Sequence, residues 1–442
     1  MKKSIYNIFR KIDGESDTVF NSYSLALAEA DQDFYKIYDN LDNIDLNNLN
    51  ENEKKTFKEM YNCNFIVNDE TDEKKNLEFI RSKSMYESGV VDLTIGTTLS
   101  CNFDCNYCYE KNKKGVISKE VQEKIIELIK EKAERKLDIN IAWIGGEPLL
   151  TFDIINNMSK KIINICNENK VKYSSLIITN GYLFNDSIIS KLKECKITSV
   201  QVTFDGPPEV HNKKRYLKRN KEGTFDVILK NVKKIIRNKI NIVIRVNIDI
   251  NANEEEIVEL IRILEKNDLL NNFYISKEFD LNFNACTRKS CHSFEGFAKF
   301  SINFYKKLDQ LGIKFLNQKS YYPKYMPNIC AATMINTLCI DPDGFIYKCP
   351  LELGEPEKAT GNILKFSQHN LTFLNNEIKY RTWDPFKFKK CVDCNLLPMC
   401  LSGCPIEGLA HNEPQCIEWK YSIEELIDTI AVNSKNEVKV TD

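Results

Sequence analysis

Histidine is scarce in this chain: 442 residues hold only four. A metal centre built on imidazole is therefore hard to assemble, whereas sixteen cysteines supply sulfur in quantity and favour zinc or iron–sulfur. Neither sign of charge is in excess. Lys plus Arg number 62 and Asp plus Glu 63, for a net charge of −1, so no basic field draws the protein toward nucleic acid or an anionic membrane. Long hydrophobic runs are missing too. No stretch approaches the roughly 20 apolar residues of a spanning helix, and the opening MKKSIYNIFRKIDGES lacks the apolar core of a signal peptide. The expected compartment is the cytoplasm. With 42% hydrophobic and 28% charged residues, the composition is that of a soluble globular protein of two or three domains.

A reducing compartment argues against a disulfide framework, and the cysteines cluster as metal ligands do. Three lie at 101–108 and eight between 330 and 416. Cys63, Cys166 and Cys195 sit singly among apolar residues and read as small buried hydrophobes. The first cluster, GTTLSCNFDCNYCYEK, spaces Cys101, Cys105 and Cys108 as C-x3-C-x2-C. Three is one short of the four ligands a structural zinc or a simple iron–sulfur site takes. A zinc site or a set of reactive thiols stays open for this triad on spacing alone.

The chain changes texture twice. Residues 1–85 combine short β-prone runs, SIYNIFRKID and DTVFNSYS, around Asp13-Gly14 as a hairpin signal. Helical sequence is expected from residue 26 onward, with the charged 68–76 as a linker. From residue 91, strands alternate with amphipathic helices: VDLTIGT, INIAWI, SLIIT, SVQVTF, INIVIRVNI and FYISKEFDLNF. Ser118 is the expected N-cap of the first helix. Such alternation predicts an α/β fold with a parallel sheet, and six units predict a barrel incomplete relative to eight. SCNFDCNYC, GGEP, TNGY and TFDG then fall at strand C-terminal ends, where such folds place their sites. From about residue 325 cysteines dominate.

The triad with Tyr107 resembles the C-x3-C-x-aromatic-C signature of radical S-adenosylmethionine (SAM) enzymes. The resemblance implies that three cysteines hold a 4Fe–4S cluster and leave one iron to chelate SAM, which accounts for the missing fourth ligand. It also implies SAM contacts from Gly145, Gly146 and Glu147 of GGEP, from Asn180 of TNGY, and from Thr203 and Arg215 of TFDGPPEVHNKKR. Farther on, Cys330, Cys349, Cys391, Cys394, Cys400, Cys404 and Cys416 resemble the seven-cysteine SPASM extension of these enzymes. That implies two auxiliary 4Fe–4S clusters, three clusters in all: an outer one on Cys391, Cys394, Cys400 and Cys416, and an inner one on Cys330, Cys349 and Cys404. The inner set is one ligand short. Cys339 is expected to pack in a strand before a hairpin turning at Asp343-Gly344, Cys286 and Cys291 have no family counterpart, and an iron open to a substrate thiolate is the sharper reading.

The resemblance therefore implies a partial (β/α)6 TIM-like barrel over 86–325, a SPASM domain over 326–442, and an N-terminal winged-helix-like domain over 1–85. Maturases of ribosomally made peptides carry such a domain and bind the precursor's leader as an added strand. Anaerobic sulfatase-maturing enzymes are the competing subfamily, but they carry an Asp as base where this chain has Pro350. The expected activity is hydrogen abstraction from a precursor peptide followed by cross-linking, with a Cys thioether as first choice. Carbon–carbon cross-linking and epimerisation are the alternatives. The expected electron donor is reduced flavodoxin or ferredoxin. An iron–sulfur electron carrier or a zinc-stabilised binding protein would use the cysteines but has no need of GGEP and TFDG.

Overall fold

A computed structural model describes residues 1–11, 17–108, 110, 113–270, 273–278, 291–313, 330–365 and 370–438. Asp13-Gly14, Cys286 and the end of FYISKEFDLNF lie outside the described residues. The chain divides into two compact units. The first joins Met1–Met85 to Ser293–Cys330 and Asp384–Asp442, and the second joins Tyr86–His292 to Ala331–Trp383.

In the first unit, β1 (Lys2–Lys3) pairs antiparallel with β5 (Ile66–Val67), and β2 (Asn7–Arg10), β3 (Thr18–Asn21) and β4 (Ala26–Glu29) form an antiparallel sheet in that order. Helical sequence was expected from residue 26, yet Ala26–Glu29 is a strand. Leu25 takes φ +60° in the turn after β3. The four residues then alternate: Ala26 and Ala28 pack on one apolar cluster and Leu27 on another. Period-two packing thus overrides the helix propensity of Ala, Leu and Glu. The expected linker is corrected as well, because a helix starts inside it at Glu73 (Glu73–Tyr86). The buried Glu73 carboxylate accepts from Ser4 Oγ at 2.5 Å and from Ile5 N at 3.0 Å, fixing the N-terminal strand. Helices Phe294–Gln310 and Trp419–Val438 return to this unit, where Phe20, Ile302, Leu396, Met399 and Leu426 share one core cluster.

The second unit is built on β6 (Val90–Thr98), β7 (Asp138–Gly145), β8 (Tyr173–Thr179), β9 (Ile197–Phe204), β10 (Asn241–Ile248) and β11 (Phe273–Lys277). These six strands are parallel and adjacent in sequence order, the partial barrel expected of six β/α units. Ser118 caps helix Lys119–Glu134 by accepting from Val121 N, as anticipated. Beyond β6 the sheet gains β12 (Thr337–Ile340), parallel, then β13 (Phe345–Tyr347) and β14 (Gly361–Asn362), both antiparallel. Cys339 is 1% exposed in β12 and packs with Leu99, Ile144 and Tyr347. Gly344, at φ +81°, closes the following turn through its N–H to Asp341 O. Cys166 and Cys195 are buried and Cys63 is half-buried. Among the described residues no helix is long and apolar enough to cross a membrane.

Candidate functional site

The six parallel strands present their C-terminal ends to a cavity of about 340 Å³ lined by Cys101, Cys105 and Cys108. That volume lies within the several-hundred-Å³ range of small-molecule sites. The glycines of GGEP explain how the cysteine loop is held. Gly145 has φ +133°, and a Cβ there would sit 2.0 Å from Thr98 O; one on Gly146 would sit 2.5 Å from Ser100 O. Only glycine lets the end of β7 lie against residues 98–100. Gly146 N then donates to Thr98 O and Glu147 N to Ser100 O, both at 2.9 Å. Glu147 does not line the cavity. Its fully buried carboxylate accepts from Thr179 Oγ1 at 2.6 Å, Asn180 N at 2.8 Å and Leu149 N at 2.9 Å. Asn180, so placed, donates to Asn102 Oδ1 at 2.8 Å and approaches Cys101 Sγ at 3.8 Å. Thr203 faces the cavity from β9.

Arg215 is buried and tied to the signature loop through Tyr107. The Tyr107 hydroxyl donates to Asp205 Oδ2 at 2.5 Å and accepts from Arg215 Nη1 at 2.6 Å and from Asn247 Nδ2 at 3.2 Å. Asp205 Oδ2 lies 3.9 Å from the same guanidinium nitrogen. His211 stabilises this arrangement from behind. Its Nδ1 accepts from Asp205 N, and its Nε2 bonds Thr224 Oγ1, which in turn donates to Arg215 O. Burial, with Arg215 nearby, holds His211 well below its usual range, so the ring is neutral and serves as a spacer.

The thiols themselves separate the readings left open by spacing. Burial pushes Cys101 up to about 12, with Glu147 adding, and Cys105 up to about 11, with Arg215 opposing. Reactive thiols need the opposite shift, whereas a metal deprotonates its ligands outright. No three His, Cys, Asp or Glu side chains among the described residues converge as ligands of one ion would. A four-iron cluster spaces its thiolates more widely than a single zinc, and three sulfurs around a cavity fit it.

In the first unit, burial pushes Cys391 up to about 11 and Cys400 up to about 12, the neighbouring thiols among Cys391, Cys394, Cys400 and Cys416 adding to each. Cys400 thus senses the charge of the other three thiols, and Cys391 that of Cys394 and Cys416. Gly403 lies close to the chain before Cys416: at φ +69°, its Cβ would fall 1.9 Å from Gln415 O. Cys404 lies near Cys330. Cys349 belongs to the second unit, where it ends the β12–β13 hairpin and is buried.

Several cavity residues escaped the sequence reading: Glu110, Gln201, Arg245 and Asn247. Alternation along a strand was the available signal, since 201 and 203 share one face of β9, as 245 and 247 share one face of β10. Glu110 had none. Its carboxyl is pushed up to about 7 by burial, Lys113 opposing, and its Oε1 has no hydrogen-bond partner.

Residues 95–264 match the model of the Radical SAM superfamily. The cysteine-type anaerobic sulfatase-maturating enzyme of Clostridium novyi (strain NT) is 25% identical over 341 residues, covering 69% of this chain and 85% of that one. Among solved structures, an anaerobic sulfatase-maturating enzyme with bound SAM, anSMEcpe, superposes with a TM-score of 0.61 at 18% identity, covering 77% of this chain and 95% of its own. Streptococcus suis SuiB bound to precursor peptide SuiA gives a TM-score of 0.54 at 16% identity, covering 94% and 98%.

Proposed function

Residues 95–264 form a radical SAM domain and the chain is a radical SAM enzyme; from that premise we propose that it is a maturase of ribosomally made precursor peptides. Cys101, Cys105 and Cys108 would hold the cluster that binds SAM, and together these supply a carbon-centred radical able to take hydrogen from an unactivated carbon. The protein's part is positioning and exclusion of water. Tyr107 and Asp205 orient Arg215, a cation suited to the methionine carboxylate of SAM, and Gly145 and Gly146 fix the loop that carries the sulfurs.

A peptide substrate is supported by the N-terminal sheet. Its order β2-β3-β4 leaves β4 at an edge, and an edge strand accepts an extended peptide through main-chain hydrogen bonds. The observation that carries the choice between subfamilies is at Pro350. It lines the cavity beside Leu351, so the position where sulfatase-maturing enzymes carry a base offers only apolar carbon. Formylglycine formation is the second reading, favoured by the resemblance to the Clostridium novyi enzyme. The outer cysteine set would hold one auxiliary cluster. Cys330 and Cys404 would serve a further auxiliary cluster, and the proposed product is a thioether. The peptide carbon loses its hydrogen to the SAM-derived radical, the acceptor cysteine loses its proton, and an auxiliary cluster would take the surplus electron. Reduced flavodoxin or ferredoxin would supply the electron.

The test uses the reconstituted enzyme, SAM, dithionite and a synthetic cysteine-containing candidate precursor peptide. With the peptide deuterated at carbon, deuterium should enter 5′-deoxyadenosine. Its absence, with SAM still cleaved, contradicts the peptide reading.

A further inference from the structure

Strand β10 alternates so that Ile244 and Val246 enter the core while Arg245 and Asn247 face the cavity. The two cavity arginines are treated differently. Arg215 is buried against Tyr107 and Asp205. Arg245 is held by neutral groups alone: its Nε donates to Asn247 Oδ1 at 2.8 Å and its Nη2 to Ser276 Oγ at 3.1 Å. Among the described residues no carboxylate lies within ion-pair distance of it. A guanidinium has five N–H donors; two are used here, and three remain for a ligand.

The neighbourhood reinforces this. Gln201 lines the same cavity, and its Oε1 accepts from Tyr274 OH at 3.1 Å, which leaves its amide N–H groups as donors. Thr203 is the register partner of Arg245. Glu110 and Glu278 also line the cavity, but neither is within ion-pair distance of Arg245. A guanidinium held by neutral acceptors, with Gln201 and Thr203 beside it, has donors to spare for a carboxylate.

We propose that Arg245 anchors an Asp or Glu side chain of the substrate peptide and so selects acidic sequences for modification. This rests on the peptide-maturase reading above. SAM also carries a carboxylate, so the experiment separates the two sources. Random-sequence peptides displayed on their own messenger RNA are selected on the reconstituted, SAM-loaded full-length enzyme and on its Arg245→Gln, Arg245→Glu and Arg245→Lys variants. SAM affinity of each is measured by equilibrium dialysis.

The parent and Arg245→Lys should enrich Asp or Glu at one position over Asn or Gln by roughly tenfold or more, the worth of a charge-assisted hydrogen bond. Arg245→Gln should lose that preference and Arg245→Glu should reverse it toward Lys or Arg, with SAM affinity unchanged in both. A merely structural arginine would not give the reversal. Acidic enrichment that survives Arg245→Gln, or none with the parent, overturns the proposal. So does a tenfold loss of SAM affinity in Arg245→Gln with peptide preference intact, which assigns the carboxylate to SAM. If the parent binds SAM yet enriches no peptide at all, the peptide reading itself falls.

Discussion

Replacing Tyr107 with Phe removes one oxygen from the point where the signature loop meets the cavity-lining Arg215. That hydroxyl makes three hydrogen bonds, two of them to the charged groups Asp205 and Arg215. Both partners are at least nine-tenths buried, so water cannot take its place. Asp205 Oδ1 and Arg215 Nε already lack hydrogen-bond partners, and the variant would leave the carboxylate with none but the guanidinium at 3.9 Å. At about 1.5–3 kcal/mol for each of the two charged hydrogen bonds, the loss is about 3–6 kcal/mol. Part of it should appear as a lower melting temperature of the reconstituted enzyme and part as weaker SAM binding, because Arg215 is freed to shift. Thermal melting and equilibrium dialysis against SAM measure the two. A Phe variant indistinguishable from its parent in both would refute the hub.

Three other outcomes are expected. Replacing Cys101, Cys105 and Cys108 with Ala should abolish formation of 5′-deoxyadenosine under dithionite while most of the iron stays bound, since the remaining sulfurs lie elsewhere; retained product would defeat the assignment. Gly403→Ala should lower iron per chain, because its Cβ would overlap Gln415 O and spread the outer cysteine set; full iron content would exclude that packing. Glu352→Gln tests a buried acid whose carboxyl burial raises from 4.5 to about 7, Tyr380 and nearby lysines opposing. Because the folded value exceeds the unfolded one, its stabilising contribution is complete below about 4.5 and is lost as pH rises through about 7. The Gln variant should thus gain on its parent above neutral pH, by at most about 3 kcal/mol, in melting curves taken across that range.

The sheet was legible because its strands carry local signals: β6 to β10 are rich in Val and Ile at strand length and each is followed by a helix, with side-chain caps from Ser118, Asn185 and Asn253 after β6, β8 and β10. The clustering of the cysteines was legible from spacing, while their division into sets came from the resemblance to radical SAM enzymes. Ala26–Glu29 was not, since its alternation is only four residues long and its composition favours a helix; the decision lies in packing against residues distant in sequence. Nor could local pattern show that residues 384–431 share a core with residues 1–85, because that pairing is made by single apolar positions such as Phe20 and Leu426. The roles of Glu147 and Tyr107 differ in the same way. A motif names the residue, but only the fold shows Glu147 spent on Thr179, Asn180 and Leu149, and Tyr107 joining Arg215 to Asp205.

The most direct test of the central claim is high-resolution mass spectrometry of the precursor peptide after anaerobic reaction with SAM and dithionite. The account predicts a loss of two hydrogens per bond formed, and no cross-link when the acceptor Cys of the peptide is replaced by Ser. An unchanged mass with an inverted α-carbon, or a cross-link that survives the Ser replacement, would contradict it.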